Sequence, residues 1–192
     1  MRIFLAGASG VIGVRLLPLL VAAGHEVAGM TRSSAKLDAL RTLGAEPVLC
    51  DVYDAETLRT AVVRFRPEAV IHQLTDLPDD AAKLPESGAR NDRMRSEGTR
   101  NLLAAAAAAE SQQILAQSIA WRPPGDRGLA IREFENSVLN VGGVVIRYGQ
   151  LYGPGTYYET EKPSPPRVQL DEAARRTVPI LAAPSGIVDV VE

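Results

Sequence analysis

The sequence predicts an α/β protein, a doubly wound parallel sheet with helices on both faces. Three observations carry this prediction. Short apolar runs alternate with longer helical stretches along most of the 192 residues, the pattern of strands joined by crossover helices. Gly24 and Gly44 stand where the first two helical stretches need a stop. The chain also opens on an apolar run that ends in Gly7-Ala8-Ser9-Gly10-Val11-Ile12-Gly13 and passes directly into a helical pattern.

The elements follow in order. Residues 2–6 are an apolar first strand, and 10–23 a helix that Gly24 ends. Residues 26–31 form the second strand and 35–43 a helix that Gly44 ends. Residues 46–50 form the third strand, and 54–64 a helix with Asp54 as its N-cap. Residues 69–74 are the fourth strand. The long helix 91–110 holds the alanine run 104–109, a strong helix former. Strand 113–118, helix 130–139 and strand 143–148 come next, then helix 170–181 and strand 187–191. Residues 122–128 and 153–166 are rich in proline and glycine and read as loops. Right-handed crossovers favour the order 3-2-1-4-5-6, with ligands bound where the strands end in their carboxyl direction. The residues at those ends are Gly7, Thr31, Asp51, Leu74, Ser118 and Tyr148.

Composition narrows the function. A hydrophobic fraction of 46% and a charged fraction of 23% are ordinary for a soluble globular chain. The net charge of −2 gives no electrostatic case for nucleic acid or an anionic membrane. Cys50 is the only cysteine, so no internal disulfide forms, and its apolar surroundings make it a buried structural thiol. The opening apolar run is too short for a secretory signal and the alanine run too short to span a bilayer. A cytoplasmic protein is expected. With two histidines and one cysteine, no metal-ligand spacing occurs.

Glycines between a strand and a helix let the backbone turn tightly and let a pyrophosphate approach the helix N-terminus. The spacing here is G-x-x-G-x-x-G. Gly7, Ser9, Gly10, Val11, Ile12 and Gly13 are the expected dinucleotide contacts. The second strand ends Gly29-Met30-Thr31-Arg32-Ser33, with no carboxylate to accept from both ribose hydroxyls. Arg32 would attract a 2′-phosphate, helped by the Thr31 and Ser33 hydroxyls. NADP(H) is therefore expected over NAD(H).

Several motifs in order resemble the extended and atypical short-chain dehydrogenase/reductases, the NAD(P)-dependent epimerase/dehydratase superfamily with its Rossmann fold. They are the glycine turn, Asp51-Val52, and Val70-Ile71-His72-Gln73-Leu74. Gly98-Thr99-Arg100-Asn101-Leu102-Leu103, Ser118, and Arg147-Tyr148-Gly149-Gln150-Leu151-Tyr152-Gly153-Pro154-Gly155 complete the set. The resemblance implies that Asp51, with Val52, contacts the adenine, and that Leu74 and Thr75 line the ribose. It makes Ser118 the catalytic serine that orients substrate. His72 reads as a core or supporting residue.

The chain departs from that family where chemistry is done. Redox members place Tyr-x-x-x-Lys on the helix after the serine, and it is absent here. Registering Glu135 on the acid that often follows puts Ile131 in the lysine slot and Arg127 in the tyrosine slot. Isoleucine carries no charge and arginine is a poor proton donor. Tyr148, Tyr152, Tyr157 and Tyr158 remain as stand-in donors or as packing residues, and Trp121 as pocket wall or core. The segment after Ser118 is short, and residues 153–166 read as the remnant of a substrate-binding loop within one domain spanning 1–192. The expected function is an NADP(H)-binding oxidoreductase or epimerase-like enzyme on a small carbonyl or hydroxyl substrate. Two other functions stay open: a non-catalytic nucleotide-binding sensor or regulator, and a non-redox cyclase or isomerase. Helix 91–110 is the candidate surface for a homodimer.

Overall fold

A computed structural model describes residues 1–78 and 80–192. The first half runs β1 (Arg2–Ala6), α1 (Gly13–Ala22), β2 (Glu26–Thr31), α2 (Leu37–Thr42), β3 (Glu46–Leu49), α3 (Ala55–Phe65) and β4 (Ala69–His72). Next come α4 (Gly88–Arg93), α5 (Thr99–Ala108), β5 (Gln113–Ile119), α6 (Asp126–Asn140) and β6 (Val144–Tyr148). The chain closes with β7 (Gln150–Tyr152), β8 (Arg167–Gln169), α7 (Leu170–Thr177) and β9 (Gly186–Val190).

Among the described residues, seven parallel strands form one sheet in the order β3-β2-β1-β4-β5-β6-β9. The expected order is present, and the last strand extends it past β6. Both faces of the central strands are covered, so their sequences read as continuous apolar runs and not as alternation. On one face Leu16, Leu17 and Leu20 of α1 join Ala173 and Ala174 of α7 over Leu5, Ile71, Leu115 and Ile146. On the other, Leu58 and Val62 of α3, Leu102 and Ala106 of α5, and Phe134 and Val138 of α6 cover Phe4, Val70, Ala116 and Val145. Cys50 is buried, and desolvation pushes its thiol up to about 11. It is a packing residue.

The boundaries differ from expectation where polar partners decide them. Helix α1 begins at Gly13 and not at residue 10, because Gly7 O takes the Gly10 amide at 3.0 Å and closes a turn first. Strands β3 and β4 end before Cys50 and Gln73, although single bonds from the Cys50 amide to Thr31 O and from the Gln73 amide to Ala6 O prolong the ladder. Asp54 caps α3 as expected, accepting the Thr57 amide at 3.1 Å.

The helix expected at 91–110 is a rod in three parts: α4, a π turn at Met94–Gly98, and α5. A 3-10 segment, Ala81–Ser87, precedes it where the sequence shows no pattern. The Thr99 hydroxyl donates to Met94 O at 3.3 Å inside the wide turn. Helix α6 starts at Asp126, so residues 126–128 of the expected loop are helical, after Gly125 with φ +67°. The last helix divides into α7 and a 3-10 segment, Val178–Ala182, that carries Pro179 near its start. Strands β7 and β8 pair in parallel on either side of residues 153–166. Three-residue strands are too short to show a period in sequence. Among the described residues no helix is long and apolar enough to cross a membrane.

Candidate functional site

The carboxyl ends of β2, β1 and β4 meet at the glycine turn. Gly7 has φ +89°, and a Cβ there would lie 2.6 Å from Gln73 O. A Cβ on Gly13 would collide with Gly7 O, so this glycine lets α1 press onto the turn. Gly10 differs from both. Only Gly7 O, at 3.3 Å, lies within 4 Å of its ideal Cβ, and the residue is exposed. Its missing side chain keeps a groove open in front of α1. Among the described residues, the Val11, Ile12 and Gly13 amides donate to no carbonyl. Unsatisfied amides at the positive end of a ten-residue helix suit a pyrophosphate.

At the end of β2, Thr31 Oγ1 and Ser9 Oγ are 2.9 Å apart, and Thr31 Oγ1 also accepts the Ser33 amide at 3.2 Å. Thr31 is buried, so its hydroxyl fixes the turn. Arg32 is exposed, and its guanidinium donates to Asp76 Oδ1 at 3.1 Å. Lys36, which sequence reasoning passed over, brings Nζ to 3.5 Å from Ser9 O. The crest thus carries two cations. After β3, Asp51 is exposed, and its Oδ1 accepts the Tyr53 amide at 3.0 Å. Val52 is buried under Gly98, and the Asn101 side chain donates to Val52 O at 3.0 Å.

Beyond β4 the support becomes explicit. The Leu74 amide donates to His72 Nδ1 at 3.2 Å, so the ring proton sits on Nε2 and points to Thr99 Oγ1 at 3.0 Å. Burial lowers the His72 pKa to about 4, which keeps the ring neutral and makes this relay a fixed strut. Gln117 Nε2 donates to Leu74 O at 3.4 Å. Both backbone polar groups of Leu74 are therefore engaged within the protein, while Thr75 beside it is exposed. Gly98, Thr99 and Asn101 brace the loops that follow β3 and β4. Two buried atoms, Gln73 Oε1 and Tyr53 Oη, have no hydrogen-bond partner among the described residues. The open groove at Gly10, the unpaired amides and the two cations fit a dinucleotide.

Ser118 lies at the end of β5 on the face that meets α6. Its hydroxyl donates to Glu135 Oε1 at 2.7 Å. Glu135 is buried and also receives Arg147 through two bonds of 2.8 and 2.6 Å, and Arg122 at 3.3 Å. Burial raises the Glu135 pKa, but the Arg147 and Ser118 bonds outweigh it and hold the carboxyl below its usual range. Arg147 stands opposite Ser118 in the β5–β6 register. The cluster is legible in sequence only as separate residues.

Ile131, in the lysine slot, is fully packed, and Arg127 sends its guanidinium against Gly88. Tyr148 is buried, with its hydroxyl 2.5 Å from Thr177 Oγ1 and accepting from Gln73 Nε2 at 3.3 Å. Burial pushes its pKa up to about 12, and its hydroxyl is engaged with Thr177 and Gln73, as in a packing residue. Tyr152 donates to Glu192 and Tyr157 to Pro78 O, while Tyr158 donates to Gln150 Oε1 at 3.1 Å. Trp121 is exposed and does not belong to the core. Arg15 of α1 donates to Pro154 O at 2.7 Å and pairs with Asp171 at 3.1 Å, tying the glycine-turn helix to the Gly153-Pro154-Gly155 loop.

Residues 7–132 match the NAD(P)H-binding family. A 3-diazoavenalumate denitrifying reductase from a Streptomyces species is 39% identical over 183 residues, covering 82% of this chain and 59% of that relative. The chain thus spans about three-fifths of the relative's length. Its fold is similar to that of the UDP-glucose 4-epimerase of Thermus thermophilus, solved as a complex with NAD. That likeness has a TM-score of 0.80 at 20% identity and covers 100% of this chain and 78% of the epimerase. An anaerobillin reductase from Escherichia coli O157:H7 is similar at a TM-score of 0.74 and 17% identity, covering 100% of this chain and 97% of that one.

Proposed function

The chain belongs to the NAD(P)H-binding family, and from that premise we propose that it binds NADP(H) in preference to NAD(H) and performs oxidoreductase or epimerase-like chemistry on a small carbonyl or hydroxyl compound. The observation that carries the cofactor reading is the crest over β1. Among the described residues the Val11, Ile12 and Gly13 amides donate to no carbonyl, Gly10 leaves space open beside them, and Arg32 and Lys36 follow β2. When bound, the nicotinamide supplies or takes up a hydride. The free amides would hold the pyrophosphate and Arg32 the 2′-phosphate, and the exposed Thr75 and Asp51 would remain for the ribose and adenine. Ser118, held by Glu135, keeps oxygen lone pairs with which to accept a bond from a substrate hydroxyl. The Streptomyces reductase, similar over most of this chain, supports the redox class.

A second reading is a non-catalytic nucleotide-binding protein. It is favoured by Ile131, packed in the slot where redox short-chain dehydrogenase/reductases carry a lysine, and by the burial of the Tyr148 hydroxyl. On either reading the partner is a small molecule and not nucleic acid or membrane. We extend the proposal to one domain over 1–192, residues 153–166 as a reduced substrate loop, a cytoplasmic setting, and a homodimer through the α5 surface.

Fluorescence titration with NADPH and NADH tests the cofactor reading. Tight NADPH binding is expected, with Arg32→Ala weakening NADPH at least tenfold more than NADH. Equal losses, or no binding of either, would remove it. A crystal soaked with NADP then separates the two readings. A protein hydroxyl within reach of nicotinamide C4 supports redox chemistry, and only apolar atoms there support the non-catalytic one.

A further inference from the structure

Strands β2 and β4 lie on either side of β1, so their ends are about 10 Å apart across the glycine turn. Arg32 leaves the end of β2 and Asp76 follows β4, yet their side chains meet at 3.1 Å. The ion pair therefore crosses the end of β1, over the groove that the dinucleotide must enter. Its two members are not equivalent. The Asp76 side chain is 13% exposed and that of Arg32 60%. The Asp76 amide is held by Asn91 Oδ1 at 3.1 Å, and Asn91 is itself buried on α4. Asp76 is the fixed post, and Arg32 is the arm that can swing.

The neighbouring cations are otherwise engaged. Arg93 gives two bonds to Glu97, of 2.7 and 3.2 Å, and stacks at 4.0 Å on the Tyr53 ring. Lys36 is directed at Ser9 O. Among the described residues Arg32 is the ion-pair partner of Asp76. A 2′-phosphate would seek the same guanidinium and would also feel the Asp76 charge as repulsion. NAD(H) has no such group and would leave the pair intact.

We propose that Asp76 is a specificity-determining residue: by holding Arg32 across the groove it lowers the preference for NADP(H) over NAD(H). This rests on the reading of Arg32 as the 2′-phosphate ligand. In the wild-type chain the arginine is shared between carboxylate and phosphate. Neutralising Asp76 gives the phosphate the whole charge.

The test is a double-mutant cycle on the full chain, with dissociation constants for NADPH and NADH measured by fluorescence. Asp76→Asn is expected to raise the NADPH-to-NADH affinity ratio about tenfold while NADH changes less than threefold. Arg32→Ala lowers the ratio, and adding Asp76→Asn to Arg32→Ala raises it by less than about threefold, the part due to direct repulsion. Thermal melts confirm that each variant folds, and Asp76→Ser replaces Asp76→Asn if the latter does not. An unchanged or lowered ratio in the Asp76 variants overturns the proposal, while a selective NADPH loss in Arg32→Ala keeps the cofactor reading. Equal loss of both nucleotides in Arg32→Ala overturns both.

Discussion

The crest over β1 and the cluster between β5, α6 and β6 use polar groups in opposite ways. At the crest, amides are left unpaired, a glycine keeps space open, and the two cations at the end of β2 are exposed. In the cluster, Ser118 and Glu135 are buried and satisfied with the part-buried Arg147, and Tyr148 is satisfied by Thr177 and Gln73. Unmet hydrogen-bonding capacity is stable only where solvent or a ligand can reach it. The first region is therefore built to receive a molecule, and most of the second is built to hold the protein together. Ser118 stands at the border, fixed by the network but still able to accept.

The largest break in this contrast comes from the glycines. Gly13→Ala forces a methyl group into Gly7 O, so nucleotide binding should vanish and stability should fall by about 3 kcal/mol or more. Gly10→Ala meets only one atom at 3.3 Å. It should leave the thermal midpoint within a few degrees while NADPH affinity drops at least tenfold. Equal thermal losses in the two variants would show that the groove is structural. The cluster should respond in reverse. Glu135→Leu leaves the part-buried Arg147 without the carboxylate it donates to and should cost about 2–3 kcal/mol in urea unfolding. The protein that remains folded should bind NADPH as before.

His72 links the regions and offers a pH test. Its folded pKa is about 4 against 6.5 in the unfolded chain. Between those values the unfolded chain takes up a proton that the folded chain excludes. Stability is complete above pH 6.5 and is lost as pH falls toward 4, by about 2 kcal/mol at pH 5. Glu135 and the other carboxylates with lowered pKa act below about pH 4.5, so between pH 5 and 6.5 the histidines dominate: His72, and the more exposed His25, whose pKa burial also lowers. Urea midpoints of the wild type should fall across that window and those of His72→Gln should fall much less, the remainder coming from His25; parallel slopes would place the proton elsewhere. The smallest effect is expected from Ser118→Ala. Losing one bond to a carboxylate that keeps Arg147 should cost about 1.5 kcal/mol, with NADPH affinity unchanged.

Strand order, the glycine turn, the Asp54 cap and the break in the Tyr-x-x-x-Lys slot were legible in the residues themselves. Each depends on local chemistry: an apolar run, a missing Cβ, a carboxylate before a helix, or an isoleucine where a charge is needed. The π turn, the β7–β8 pair and the 3-10 segment before α4 were not, because each depends on partners far along the chain or is too short to leave a period. The partners of the site residues were hidden for the same reason. Arg32 reads in sequence as a cation waiting for a phosphate, and only the β2-β1-β4 neighbourhood sets Asp76, 44 residues away, against it. His72 reads as a core residue, and only packing makes it the strut for Leu74. By itself the sequence determined that a dinucleotide-type turn is present and that the usual proton-transfer pair is missing, since both are statements about residue types in a row. Tertiary structure alone decided which polar groups stay open and which are spent on one another, because hydrogen bonds and ion pairs are settled by proximity in space.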